Sequence, residues 1–311
     1  MSKIAFLFPG QGAQIVGMGK EIYETYDLAR EFFDHACELV DFDMKALCFD
    51  GPIEQLSQTE YTQACLVTIA LMIFKVLESH GFKADIMAGL SLGEYCALSA
   101  AGALSASEAI QLVRRRGQIM SQALPTGTST MAAILGMETT DLEDICQTAS
   151  AAGVVEIANY NCPGQLVIGG ATEAVKKACE LATLNGARKV VPLNVSGAFH
   201  TSLLKEAGIK LRNELEKVDF KDLKTPVIFN KTAKFQDEPI IDLMEAQVSS
   251  PVRFEETIRL MLEEGIDTFI EIGPGKTLSG FVKKVDRKVT IIQVNDVASI
   301  TDLILKFGGH V

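Results

Sequence analysis

Positive charge is in short supply in this 311-residue sequence: 29 Lys and Arg stand against 40 Asp and Glu, a formal net charge of −11. Without a basic stripe to set against phosphates, nucleic acid is not expected as a partner. The local exceptions are Arg114-Arg115-Arg116 and Lys283-Lys284 with Arg287-Lys288. Cysteine is present but never in a C-x-x-C pair. The seven thiols are scattered and odd in number, which argues against a disulfide scaffold or a zinc site and suits free thiols in a reducing compartment. No metal is expected. Long apolar runs are also missing. The longest, Ala64 to Phe74, is interrupted by Thr68 and ends at Lys75. A membrane span needs ~20 residues, so this run reads as a buried helix and no membrane partner is expected. Met1-Ser2-Lys3 leads directly into a strand, without the apolar region and cleavage site of a signal peptide, so a cytoplasmic protein is expected. No repeat or low-complexity segment occurs. What remains, 48% hydrophobic and 22% charged residues, is the composition of a globular protein with one large core or a large domain plus a small one.

The most informative segment is Gly89-Leu90-Ser91-Leu92-Gly93, a Gly-x-Ser-x-Gly match. Ala84–Ala88 before it reads as a short strand and Glu94–Ala101 after it as a helix. A serine on so sharp a strand-to-helix turn is exposed at the carboxyl edge of a sheet, beside the free N–H groups of a helix start. The bland alternative is a glycine-rich turn that happens to contain serine.

The surrounding pattern supports a sheet of this kind. The chain opens with strand Lys3–Phe8 and a turn at Pro9-Gly10-Gln11-Gly12, followed by helical patterns over Tyr23–Val40 and Tyr61–Ser79. A further helix runs from an N-cap at Ser105, three residues ahead of Glu108, to about Leu124. Strands and helices in alternation predict a mostly parallel sheet covered on both faces. After Pro125-Thr126-Gly127-Thr128 the rhythm changes to β-α-β-β-α-β, the ferredoxin-like order: Met131–Leu135, Thr140–Ala151, Val154–Asn159, Gln165–Ile168, Thr172–Asn185 and Lys189–Leu193. A small domain over 127–195 is therefore expected to interrupt a large one formed by 1–126 and 196–311. Helices Leu203–Val218 and Phe254–Glu264, with strands Pro226–Phe229, Thr268–Ile272 and Thr290–Val294, are expected to complete the large sheet.

A serine nucleophile needs a base, and only four histidines are available. His35 sits in a helical run, His80 at a helix end before Gly81, and His310 next to the C-terminus. His200, in a loop between the last small-domain strand and a new helix, is the best candidate by elimination, against the alternative of a histidine merely satisfied in a loop. Two glycine-rich segments fail as nucleotide motifs. Gly10-Gln11-Gly12-Ala13-Gln14-Ile15 has isoleucine where a dinucleotide fingerprint needs its third glycine. Gly275-Lys276-Thr277 lacks the first glycine of a phosphate-binding loop, since Ile270 stands there. The Pro9–Gly12 segment is either a tight turn or a turn that lets Gln11 polarise a carbonyl beside the elbow. Arg116, read within its Arg-Arg-Arg run, suggests a solvated helix face.

Taken together, the motifs resemble the malonyl-CoA:acyl carrier protein transacylase family over almost the whole length. They are Phe8–Gln14, Tyr61-Thr62-Gln63, Gly89–Tyr95, Arg116-Gly117 with Met120, Asn161–Gln165, Gly197–His200 and Ile272–Leu278. The resemblance implies an α/β fold, an α/β-hydrolase-like large domain with a parallel sheet interrupted by a ferredoxin-like one. It implies Ser91 as nucleophile, His200 as base, and an oxyanion hole from the backbone N–H groups of Gln11 and Leu92. Arg116 would pair with the malonyl carboxylate, which reverses its reading as solvated surface but leaves Arg114 and Arg115 so. A backbone carbonyl near Gln247 would orient the histidine, and Gln63, Asn161, Phe199 and Gln247 are the further substrate-binding candidates. Phenylalanine before the histidine resembles malonyl-selective members, its ring filling the volume that an α-methyl group would need. The implied partners are malonyl-CoA and an acidic acyl carrier protein, with no cofactor and a monomeric chain. Two positions depart from many members: Leu90 replaces histidine and Ala64 replaces proline. Neither supplies a reacting group.

Overall fold

The computed structural model describes residues 2–193, 195 and 197–307; His310 lies outside them. In chain order the strands are β1 (Ile4–Phe8), β2 (Ile86–Gly89), β3 (Ser129–Leu135), β4 (Val155–Cys162), β5 (Gln165–Ala171), β6 (Lys189–Pro192), β7 (Ile228–Phe229), β8 (Lys234–Phe235), β9 (Val252–Arg253), β10 (Thr268–Ile272) and β11 (Thr290–Val294). The larger sheet has the order β11-β10-β1-β2 and every pair in it is parallel. The continuous apolar run of β1 is what a strand covered on both faces requires. Its side chains alternate accordingly. Phe6 and Phe8 enter the core beneath helix Thr59–Ser79, while Ala5 and Leu7 face Phe254, Ile258, Met261 and Phe281 on the other side.

Helix Thr59–Ser79 is long and apolar enough to cross a membrane by length and composition, but 83% of its apolar window is buried within the fold. It is the core helix of the large domain. Helix Ala106–Ser121 packs along it, started by a capping box in which Ser105 and Glu108 satisfy each other's backbone. The two helices meet closely at Gly117, where an added Cβ would lie 2.7 Å from the Thr59 carbonyl oxygen. That approach puts Arg116 beside Gln63.

A second, five-stranded sheet has the order β6-β3-β5-β4-β9. Its first four members are antiparallel and carry helices Thr139–Ala149 and Thr172–Leu184, whose Leu142, Ile145, Val175 and Ala178 share a core with Ile134 and Ile168. The fifth strand was not anticipated. β9 lies far along the chain and pairs in parallel with β4 through Asn159↔Val252 and Tyr160↔Arg253. Two residues carry too little pattern to read as a strand.

Other departures have local causes. The pattern over Tyr23–Val40 divides into helices Lys20–Thr25 and Asp27–Glu38, because Tyr26 between them adopts an extended backbone (φ −110°, ψ 119°). The segment Pro226–Phe229 does not join the large sheet as a full strand. It touches β2 by one bridge, Met87↔Val227, and then forms the β7–β8 hairpin. Arg114 is not on a solvated face. It is 7% exposed, with its guanidinium 5.0 Å from the Phe42 ring centre and 5.1 Å from that of Tyr61, and its Nε donates to Asp41 at 2.7 Å. Two aromatic rings nineteen residues apart in sequence, and more than fifty from Arg114, supply this site, which a charge run cannot reveal. Replacing Arg114 with Met should lower the unfolding free energy by about 1–2 kcal/mol, as lost cation–π and hydrogen-bonded contact. Urea denaturation checks this, and unchanged stability would show that the site contributes nothing net.

Candidate active site

β1, β2 and β10 all end at one edge of the large sheet, with Phe8 in register with Gly89. The turns leaving β1 and β2 therefore meet. They meet so closely that both motif glycines are sterically required. A Cβ at Gly93 would fall 2.1 Å from the Phe8 carbonyl oxygen, and one at Gly89 would fall 1.9 Å from the Gly93 carbonyl carbon. Ser91, between them, is held at φ 51°, a left-handed conformation that a non-glycine residue adopts only under constraint. His200 is likewise left-handed, at φ 61°.

These two strained residues face each other. Ser91 Oγ and His200 Nε2 are 2.6 Å apart. His200 Nδ1 lies 2.8 Å from the carbonyl oxygen of Gln247. A carbonyl can only accept, so Nδ1 carries the proton and the Nε2 lone pair is left for the serine hydroxyl. The backbone N–H of His200 donates to the Val248 carbonyl at 3.1 Å, so one stretch at the end of helix Ile240–Gln247 fixes both ring and backbone.

Arg116 reaches the same point from helix Ala106–Ser121. Its Nη2 donates to Ser91 Oγ at 3.2 Å and to Gln247 Oε1 at 3.0 Å, and its Nη1 donates to Gln63 Oε1 at 2.9 Å. The side chain is 1% exposed, yet all three acceptors are neutral, and among the described residues it forms no ion pair. Among the described residues its Nε has no hydrogen-bond partner, and the guanidinium lies 5.4 Å from the ring centre of Tyr95. The buried carboxyl of Glu94 feels the Arg116 charge, but burial pushes its pKa up to about 8, so it is protonated at neutral pH and does not balance the guanidinium. A desolvated cation without an anion is costly, and the arrangement is completed when a carboxylate enters.

The opening in front of these groups is a cavity of about 240 Å³ lined by Gln11, Ser91, Leu92, Arg116, Phe199 and His200 among others. Asn161 is not in its wall. It lines a neighbouring cavity of about 270 Å³, with its Oδ1 buried and unpartnered, and the Ser91 cavity takes Asn159 from the same strand instead. The side chain of Gln247 stands behind Arg116 and not in the cavity wall; its Nε2 donates to the Ser91 carbonyl at 3.0 Å. A larger groove elsewhere, about 420 Å³ between Asp41, Arg115 and Glu214, contains neither Ser91 nor His200.

The acyl transferase domain family matches residues 5–302 of this chain. A malonyl CoA-acyl carrier protein transacylase of Bacillus subtilis is 47% identical over 303 residues, 96% of each chain. The chain belongs to the malonyl CoA-acyl carrier protein transacylase family. The crystal structure of such a transacylase from Clostridium perfringens superposes with a TM-score of 0.95 at 42% identity, covering 98% of this chain and 97% of that one. Another structure, described as a type II PKS acyl-carrier protein in complex with its malonyl-transacylase, matches with a TM-score of 0.95 at 35% identity, covering 98% of this chain and all of that one. The fold is thus the family's α/β fold, a parallel sheet with a separate small sheet.

Three parts of the site escaped the sequence. Asn230 accepts from the Ser91 N–H at 2.6 Å, Glu94 accepts from the Asn230 N–H at 2.7 Å, and the Gln247 side chain braces Arg116. Gln247 was a sequence candidate, though not for this contact; Asn230 left no trace, and Glu94 only that of a carboxylate opening an otherwise apolar helix. Burial, with the Arg116 charge added to it, lowers the pKa of His200 from 6.5 to about 4. A base must be neutral to accept a proton, and this one stays neutral as pH falls through the ordinary histidine range. The rate of Ser91 acylation at limiting substrate, kcat/KM, should therefore hold level from pH 7 to about 5 and drop only toward pH 4. Stopped-flow acylation across that range tests it, and a half-point near 6.5 would show that burial does not govern the imidazole.

Proposed function

We propose that this chain transfers a malonyl group from malonyl-CoA to the phosphopantetheine thiol of an acyl carrier protein, through a malonyl ester on Ser91, and so supplies extender units for fatty acid synthesis. The observation that carries the reading is Arg116: a buried, unbalanced guanidinium whose Nη2 lies 3.2 Å from the hydroxyl that would attack. A guanidinium matches a carboxylate with two parallel donors. It favours a substrate that carries a free carboxylate close to its reacting carbonyl, as malonyl thioesters do.

His200 Nε2 takes the proton of Ser91 as Oγ attacks the thioester carbonyl. The oxyanion rests on the backbone N–H groups of Gln11 and Leu92, which line the same cavity; Leu92 caps helix Gly93–Ala100, so its amide belongs to a helix start. Each such donor is worth ~3 kcal/mol in comparable sites. The coenzyme A thiolate leaves and receives the proton from His200. The carrier-protein thiol then enters, loses its proton to His200 and attacks the ester carbonyl, restoring Ser91. An ester and a thioester exchange without ATP or metal. The small sheet, whose domain we place at 127–195, contributes Met131 and Asn159 to the cavity wall. Every group invoked comes from one chain, so a monomer suffices. The cysteines among the described residues are all free, as in the reducing cytoplasm where we place the protein.

The first test is mass spectrometry after brief exposure to malonyl-CoA. A malonyl adduct on Ser91 that is discharged by acyl carrier protein supports the transfer. Release of free malonate at an equal rate without carrier protein would instead make this a thioesterase. Arg116→Ala should lower malonyl transfer at least ~100-fold while acetyl transfer is kept or gained, the signature of a lost carboxylate contact. Equal loss for both acyl groups would make Arg116 structural. Phe199 is buried and lines the cavity. Phe199→Ser should raise methylmalonyl relative to malonyl transfer, read as the ratio of kcat/KM values, and an unchanged ratio would remove the ring from the selectivity argument.

A further inference from the structure

Ser91 is held in its left-handed turn by side chains from outside the elbow, on both of its backbone groups. Its N–H donates to Asn230 Oδ1 at 2.6 Å and its C=O accepts from Gln247 Nε2 at 3.0 Å. Asn230 does more than accept. Its Nδ2 donates to the Gly89 carbonyl at 2.7 Å, so one amide spans the turn from the residue two before the serine to the serine itself. The amide orientation is set by those two partners, since a carbonyl must face the nitrogen donor and an N–H the oxygen acceptor. Asn230 is in turn fixed through its backbone: its N–H donates to Glu94 Oε2 at 2.7 Å, and its C=O accepts from Arg253 N at 3.0 Å, at the strand that pairs with β4. Asn230 is fully buried and Glu94 nearly so.

We infer that Asn230, backed by Glu94, is a positioning residue that locks the Ser91 backbone in the left-handed region and thereby aims Oγ at His200 Nε2. The inference rests on Ser91 being the nucleophile proposed above. Its physical content is that a left-handed serine persists only where the surroundings over-determine it. Removing the amide frees the N–H of Ser91 and the C=O of Gly89 together, and the turn relaxes toward an ordinary backbone. Neither Asn230 nor Glu94 lines the cavity. Substrate binding therefore does not depend on them directly, whereas the 2.6 Å contact between Oγ and Nε2 does.

Two variants test this. Asn230→Ala should lower kcat about a hundredfold, the scale of a nucleophile displaced by an ångström, with KM for malonyl-CoA within about threefold of the parent. Asn230→Asp separates positioning from mere folding. An ionised aspartate still accepts from the Ser91 N–H but presents a lone pair to the Gly89 carbonyl. A protonated one can donate to that carbonyl and restore both contacts. The charged or titratable neighbours are Glu94, at the backbone of residue 230, and Arg116 and His200, which reach Ser91 from the other side. Position 230 is fully buried, so desolvation raises the pKa of a carboxyl placed there; Glu94 is protonated below about pH 8 and His200 neutral above about pH 4, so between pH 5 and 7 the introduced carboxyl is the group that changes.

The deficit of Asn230→Asp relative to the parent should shrink at least ~10-fold on going from pH 7 to 5. A deficit independent of pH, or a loss confined to KM, would overturn the inference. Labelling of Ser91 by a fluorophosphonate supplies a second readout without malonyl-CoA, and Asn230→Ala reacting at the parent rate would also overturn it. If Asn230→Ala does not fold by circular dichroism, the pH dependence of Asn230→Asp decides alone. Failure of the transfer reading looks different: the parent protein itself would take the fluorophosphonate but no malonyl group.

Discussion

The contact between Ser91 Oγ and His200 Nε2 joins residues 109 positions apart, and nearly every special feature of the fold serves it. The hydroxyl points out of a left-handed turn, which exists because Gly93 lies against the Phe8 carbonyl and Gly89 against Gly93. The imidazole points inward from a second left-handed residue, tethered at Nδ1 and at its backbone by the neighbouring carbonyls of Gln247 and Val248. A carbonyl here takes the place that a carboxylate holds in a Ser-His-Asp triad. It fixes the tautomer without adding negative charge, and the imidazole beside a buried guanidinium stays neutral well below its ordinary pKa.

Charge in the site is deliberately incomplete. Arg116 is buried among neutral amides and a hydroxyl, while the carboxyl of Glu94 stays protonated through desolvation. Had that carboxyl been ionised beside the guanidinium, the cation would be satisfied internally and a dicarboxylic acyl group would gain little. Instead Glu94 receives the Asn230 N–H and serves the backbone of the elbow. The stretch from Gln247 to Arg253 gathers these contacts. It holds His200 through Gln247 O, holds Ser91 and Arg116 through the Gln247 side chain, holds Asn230 through Arg253 N, and pairs with the small sheet through β9.

Much of this was readable in advance, for reasons specific to each element. The elbow declared itself because its glycines are sterically obligatory, and the Ser105–Glu108 cap because its two residues satisfy each other locally. The β-α-β-β-α-β rhythm was legible because each strand is long enough to show a period, whereas two-residue strands such as β7, β8 and β9 are not. His200 emerged because histidine is rare in this chain. Arg114 and Arg116 could not be separated by their own neighbourhood in sequence. One lies over the adjoining rings of Phe42 and Tyr61 and the other faces Ser91, two residues apart on the same helix.

The sequence by itself determined the longer strands with their obligatory turns, the alternation of core faces along β1, and the presence of one reactive serine with a short list of possible bases. These follow from local sterics and from hydrophobic period, which act over a few residues. Only the tertiary structure decided which base faces the serine, that Arg116 is buried without a counter-ion, and that Asn230, Glu94 and Gln247 brace the turn. Those depend on desolvation and on hydrogen bonds between segments more than a hundred residues apart, and no local pattern encodes either one.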